Sequence, residues 1–204
     1  MKKNLYRTAA LVTGLSVAER ALGFLYRIVL SRLIGSEGLG LYQVALSVFS
    51  VFITIGTGGI PITVSRLISK SKASGDRQGE HAAVTAGPIA SLLLTLPVCL
   101  IFFVGSSRFG FLFSDERCLS LFSILLCGLV FSSVYAVIRG SFWGNKRFLA
   151  PSVLELTEEI VMVIAGILLL RNVSDVFEGA RLASVAVVIS YFVSFSSAIV
   201  CFFA

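Results

Sequence analysis

The residues of this sequence best suited to chemistry lie inside otherwise apolar runs. Thr13, Ser16, Arg20, Gly23 and Arg27 follow one another at spacings of 3, 4, 3 and 4. At 3.6 residues per turn these form one stripe along a helix face. Arg20 and Arg27 then stand about 10 Å apart along the axis. Two guanidinium groups at that spacing suit a ligand with an extended anionic head, because each grips phosphate oxygens through paired N–H donors. The alternatives are that Arg27 snorkels to the outer interface, and that Arg20 pairs with Glu19 of a neighbouring copy or with another helix. Glu19, about 100° round the helix from Arg20, reads as a structural partner.

Further polar residues recur in the later runs. Gly58, Gly59 and Pro61 fall in the stretch GTGGIP, residues 56–61. Glycine removes packing volume, and proline removes an N–H and obstructs the carbonyl four residues back, so a helix break is expected there. Ser132, Tyr135 and Arg139 share a face, with Arg139 read as an interfacial anchor or as a partner for an acidic residue. Ser152 and Glu155 have capping-box spacing, so Glu155 reads as a helix cap. Glu158 and Glu159 come a turn further in. Glu158 is the expected inward-facing residue, with Arg139 or Arg147 as its basic partner. His81 and Trp143 read as interfacial residues, and Pro88 and Pro97 as bends. The four cysteines, Cys99, Cys118, Cys127 and Cys201, lack metal-ligand spacing and read as reduced packing residues. No nucleophile–base pair, phosphate-cradling loop or metal cluster can be assembled, so neither enzymatic activity nor a metal or cofactor is expected.

The elements that must hold these residues follow from composition. Of 204 residues, 56% are hydrophobic and 14% charged, and mean hydropathy is +0.95. A soluble domain typically carries about 25% charged residues. The deficit excludes an ordinary cytosolic enzyme, a disordered tail and, despite a pI near 9.4, a nucleic-acid-binding domain. A bilayer core about 30 Å thick needs roughly 20 apolar residues in helix. Six runs meet that length, at about 8–30, 39–64, 82–104, 118–138, 152–170 and 182–204. They predict a single all-α polytopic membrane domain of six transmembrane helices over residues 1–204. The basic start MKKNLYR resembles a signal-peptide n-region, but apolar character resumes beyond Arg20 and five further spans follow, so no cleavage is expected.

Orientation is read from lysine and arginine. With the N-terminus inside, ten basic residues fall on the cytoplasmic side: Lys2, Lys3, Arg7, Arg66, Lys70, Lys72, Arg77, Arg139, Lys146 and Arg147. Five fall outside: Arg32, Arg108, Arg117, Arg171 and Arg181. The asymmetry predicts cytoplasmic N- and C-termini.

Three stretches carry a family resemblance: ERALGFLYRIVLSRLIGSEGLGLYQ (19–43), GTGGIPITVSRLISKSKASGD (56–76) and IRGSFWGNKRFLAPSVLELTEEIVMV (138–163). In this order the sequence resembles the polysaccharide-biosynthesis flippases of Gram-positive bacteria, of the stage V sporulation protein B type. Their superfamily includes peptidoglycan lipid II flippases and multidrug and toxic-compound extruders. The resemblance implies transport of an undecaprenyl-pyrophosphate-linked saccharide across the bacterial plasma membrane, from the inner to the outer leaflet, for cell-envelope or peptidoglycan synthesis. It also implies that Arg20 and Arg27 line a cationic head-group cavity with Ser16 and Thr13 on the same stripe, and that Glu158 is the family's fifth-helix glutamate. Position 162 is Met where relatives often have a basic residue. The family has about fourteen helices in two lobes, so six spans read as the N-terminal lobe, with a C-terminal lobe or a second copy as the expected partner beside the bilayer. A coupling cation or the membrane potential is the expected energy source. The alternatives are a lobe of a cation-coupled multidrug exporter, against which two cavity arginines argue, and a non-transporting membrane scaffold.

Overall fold

The computed structural model describes residues 2–105, 109–111, 113–173 and 175–203, and among them every regular element is helical. In chain order these are α1 (Lys2–Thr57), α2 (Ile60–Ser74), α3 (Arg77–Val104), α4 (Arg117–Gly144), α5 (Leu149–Leu170) and α6 (Val176–Phe203). Arg108 of the charge argument and Ala204 of the sixth expected span lie outside the described residues. Among the described residues, four helical stretches are long and apolar enough to cross a membrane: Tyr6–Ser74, Arg77–Val104, Arg117–Gly144 and Val176–Phe202. The chain is an all-α polytopic membrane protein.

The expected loop between the runs 8–30 and 39–64 is replaced by a bend within one helical trace. Gly35 carries it, at φ 72° and ψ 179°, where a side chain would clash and glycine does not. A straight helix over 6–74 would measure about 100 Å, roughly three bilayer cores. The bend divides α1 into limbs at 2–34 and 36–57. The expected break follows at Gly58 and Gly59, with Pro61 in the first turn of α2. At the end of α2, Gly75 takes a left-handed φ of 70° and Asp76 accepts from the Gly79 N–H at 3.0 Å to start α3. Hydroxyls along these helices donate to carbonyls one turn back, as Thr57 does to Ile53 at 2.7 Å. That gives these hydroxyls a partner where lipid offers no acceptor.

Helix α4 is the hub, packed on α1, α2, α3 and α6, while α5 lies against α1 and α6. Leu121, Phe122, Leu125, Leu126 and Leu129 of α4 are fully buried. Phe52, Phe102 and Phe113 surround Phe122, with ring centroids 4.9–5.6 Å away. Against lipid this packing holds by close contact rather than by expulsion of water.

Contacts define the two ends of the bundle. At one, Arg117 donates to Asp115 Oδ2 at 2.8 Å and to Glu37 Oε1 at 2.9 Å, clamping the start of α4 to α1 just past its bend. These hydrogen bonds hold the Asp115 carboxyl below the usual carboxylate range. At the other end, Lys72 bonds Asn145, Lys72 pairs with Glu80 at 3.6 Å, and the Phe142 and Phe202 rings meet at 6.2 Å. The finish of α6 therefore lies at the α2–α3 turn. The limb 2–34 runs away from that end toward Gly35, so the start of α1 lies there too.

Candidate functional site

Two polar pockets adjoin in the helix bundle. The first, about 260 Å³, is lined by Glu19, Arg20, Gly23, Phe24 and Arg27 of α1 and by Glu159 of α5. The second, about 220 Å³, is lined by Glu19, Ile53 and Thr57 of α1, Ser132, Tyr135, Ala136 and Arg139 of α4, Glu155 and Glu158 of α5, and Tyr191 of α6. Glu19 borders both. Three arginines and four glutamates thus gather among helices that otherwise meet lipid. Charges there normally face protein or water and serve function.

The first pocket follows from the predicted stripe. Arg20 and Arg27 are exposed into it, and Gly23 lies between them, one turn from each. A Cβ at position 23 would stand 2.6 Å from Glu159 Oε1. Glycine at this position gives that carboxylate room to approach the middle of the stripe. Among the described residues, neither Arg20 nor Arg27 makes an ion pair within 4.0 Å. Their donors remain open to a ligand. Ser16, half-buried, and Thr13, exposed, continue the stripe toward the chain start but do not line the groove.

The second pocket has a different character. Arg139 Nη1 donates to Glu155 Oε1 at 3.0 Å, and its guanidinium lies 5.2 Å from the Trp143 ring centroid and 6.0 Å from that of Tyr135. Glu158 lines this pocket, but it is Glu155 that pairs with Arg139. Reading Glu155 as a cap is thereby corrected. Helix α5 begins at Leu149, so Ser152 lies inside it and donates back to Phe148 O at 3.2 Å, and no side chain caps the start. Arg147, exposed at the α4–α5 turn, lines a separate recess with Lys72 and Asn145. Trp143 is a stacking surface for Arg139 as well as a residue of the bundle end.

The helix break contributes elsewhere. Gly59 and Ile60 line a larger cavity, about 660 Å³ between α2 and α3, with Gly56, Val64, Ala83 and Gly87. Among the described residues no ionisable side chain borders it, so it offers an anionic head no charged group to bind. Thr57, just before the break, faces the second polar pocket instead.

Sequence reasoning missed Glu159 and underrated Glu19. The signal for Glu159 was Gly23 itself: a glycine amid a charged stripe marks the close approach of a neighbouring helix. Which of two adjacent glutamates answers it depends on the rotation of α5, which periodicity alone does not fix.

A helical membrane bundle with an open basic groove and an acidic partner pocket is the class these observations define. The chain belongs to the polysaccharide biosynthesis protein family, which it matches over residues 5–204. It is 26% identical over 191 residues to stage V sporulation protein B of Bacillus subtilis (strain 168), covering 91% of this chain and 37% of that protein. It is 23% identical over 194 residues to the lipid II flippase MurJ of the same organism, covering 91% of this chain and 36% of that protein. An uncharacterized membrane protein, YabM, of the same organism is 20% identical over 147 residues, 72% of this chain and 27% of that protein. The chain thus spans little more than a third of the length of the first two relatives. No solved structure matches it significantly.

Proposed function

We propose that this chain forms the N-terminal lobe of a flippase for lipid-linked saccharides of the bacterial cell envelope. It acts as a transporter rather than an enzyme, and completes its cavity with a further lobe or a second copy. The observation that carries this reading is the groove at Arg20 and Arg27. Two guanidinium groups without close intramolecular ion pairs, exposed in a membrane bundle, require an anionic ligand or a covering partner. A pyrophosphate-linked saccharide supplies the anion, and a facing lobe supplies the cover and the rocking motion of alternating access. The name of the flippase relative supports the same substrate class. A cation-extruding lobe fits the open arginines less well. Replacing the matching first part of stage V sporulation protein B with residues 1–204 should yield a chimera that restores sporulation to a strain lacking that protein. A chimera present at normal level in the membrane but inactive would count against the proposal.

The expected orientation places both termini in the cytoplasm of a bacterial plasma membrane. The bundle end bearing Arg66, Lys70, Lys72, Lys146 and Arg147 is then the inner one. In a cysteine-free background, a membrane-impermeant thiol reagent applied to intact cells should label Asn172→Cys and spare Ser74→Cys. The reverse pattern overturns the orientation.

A further inference from the structure

We propose that Glu159 is an internal counter-anion of the head-group site, and that an incoming phosphate group takes its place in a step accompanied by proton uptake. The inference rests on the proposed function and assigns its site a coupling residue.

The geometry begins at Gly23. Its missing side chain lets the Glu159 carboxylate reach the centre of the stripe, between Arg20 and Arg27. With no ligand bound, that carboxylate and Glu19, which lines the same groove, offset its two cations without a close ion pair. A phosphate group drawn to the same guanidinium groups brings like charge beside Glu159. The two anions would share one groove of about 260 Å³, close enough for like charge to disfavour ionisation of both. Either the carboxylate leaves or it takes up a proton. Leaving is disfavoured, because the neighbouring pocket is already acidic with Glu19, Glu155 and Glu158.

The groups facing Glu159 agree with this. From α1 come Glu19, Arg20 and Arg27, which line the groove, and the phenols of Tyr26 and Tyr42. From α5 itself come Glu155 and Glu158, and from α6 comes Tyr191. Arg139 of α4, the cation of the adjoining pocket, is already paired with Glu155. No third free cation therefore waits to balance both a phosphate and the Glu159 carboxylate among the residues lining the two pockets. Protonation restores the balance, and deprotonation then helps expel the ligand. One residue would thereby link head-group capture to a proton.

The test uses the 204-residue chain in nanodiscs and farnesyl pyrophosphate as the probe. Calorimetry in buffers of differing ionisation enthalpy counts protons at several pH values between about 5 and 8, and the count of protons exchanged by the probe's own phosphate groups, fixed by binding to Glu159→Gln, is subtracted. The wild type should bind with uptake of about one proton, and more tightly as pH falls. Glu159→Gln, neutral at every pH, should bind about tenfold more tightly at the alkaline end, a shift equivalent to one pH unit of linkage. Its count should fall below the wild-type count by that proton, while Glu159→Asp should retain it. Helical circular dichroism identifies any variant that has not folded, and an absence of uptake by the wild type is read without any variant. Wild-type binding without proton uptake overturns this inference and leaves the head-group site standing. Unchanged uptake in Glu159→Gln overturns the assignment to Glu159. Failure of the wild type to bind at any pH removes the head-group site itself.

Discussion

Replacing Arg20 and Arg27 together by alanine should abolish complementation by the sporulation-protein chimera, with membrane level and helical content unchanged. Each arginine can present two parallel N–H donors to phosphate oxygens, and a hydrogen bond to a charged group contributes about 1.5–3 kcal/mol. Losing both sites removes roughly 3–6 kcal/mol of head-group binding, or about two to four orders of magnitude in affinity. The fold does not need these side chains. They are exposed into the groove and make no close ion pair among the described residues, so truncating them breaks no direct contact, and the half-buried Glu159 they leave behind borders an open groove where water or a proton relieves its charge. Arg20→Lys keeps the charge and loses the planar fork, and should fall between wild type and Arg20→Ala. Full activity of the double variant at normal expression would remove the groove from the transport path. Loss of activity accompanied by loss of protein would mean instead that the arginines hold the bundle together.

How far such a site can be read from sequence depends on the relation that defines it. The arginine stripe is a relation within one helix, and a period of 3.6 expresses it fully. Gly58, Gly59 and Pro61 likewise announce their break through local backbone chemistry. Gly35 was less legible. It opens GSEG, residues 35–38, which reads as a polar loop, yet the flanking residues continue helically on both sides and one glycine at positive φ makes the bend. Glu155 misled for a related reason. Its spacing from Ser152 fits a capping box, but α5 starts three residues earlier, at Leu149. The pair therefore lies within the helix, where Glu155 is free to face α4. The roles of Glu158 and Glu159 depend on the rotation of α5 against α1, α4 and α6. Those interhelical contacts have no counterpart in a linear pattern. The family resemblance supplied what periodicity could not, namely that a charged stripe in this place belongs to a cavity.

The Arg139–Glu155 pair should show the largest effect on stability. Both side chains are less than a third exposed, at 30% and 28%, and the cavity they share holds Glu19 and Glu158 as well. Arg139→Met leaves these three carboxylates with no cation in that pocket and removes the guanidinium from the Trp143 ring. Breaking a buried pair on one side costs about 3–5 kcal/mol. Access of water to the pocket reduces this to about 2–3 kcal/mol here, and the lost stacking adds roughly 1 kcal/mol. The sign of the double change separates charge from packing. Arg139→Met with Glu155→Met removes both members and leaves two carboxylates instead of three, so it should recover much of the loss. This follows because an uncompensated charge, rather than a lost contact, dominates the single variant. Thermal unfolding in detergent, followed by circular dichroism across the four proteins of this cycle, gives the coupling directly. Additive losses would mean that the two side chains stabilise the bundle independently and that the ion pair is incidental. If Arg139→Met unfolds at the wild-type temperature, the remaining carboxylates are already relieved by water or protons, and the pocket is more open than its lining suggests.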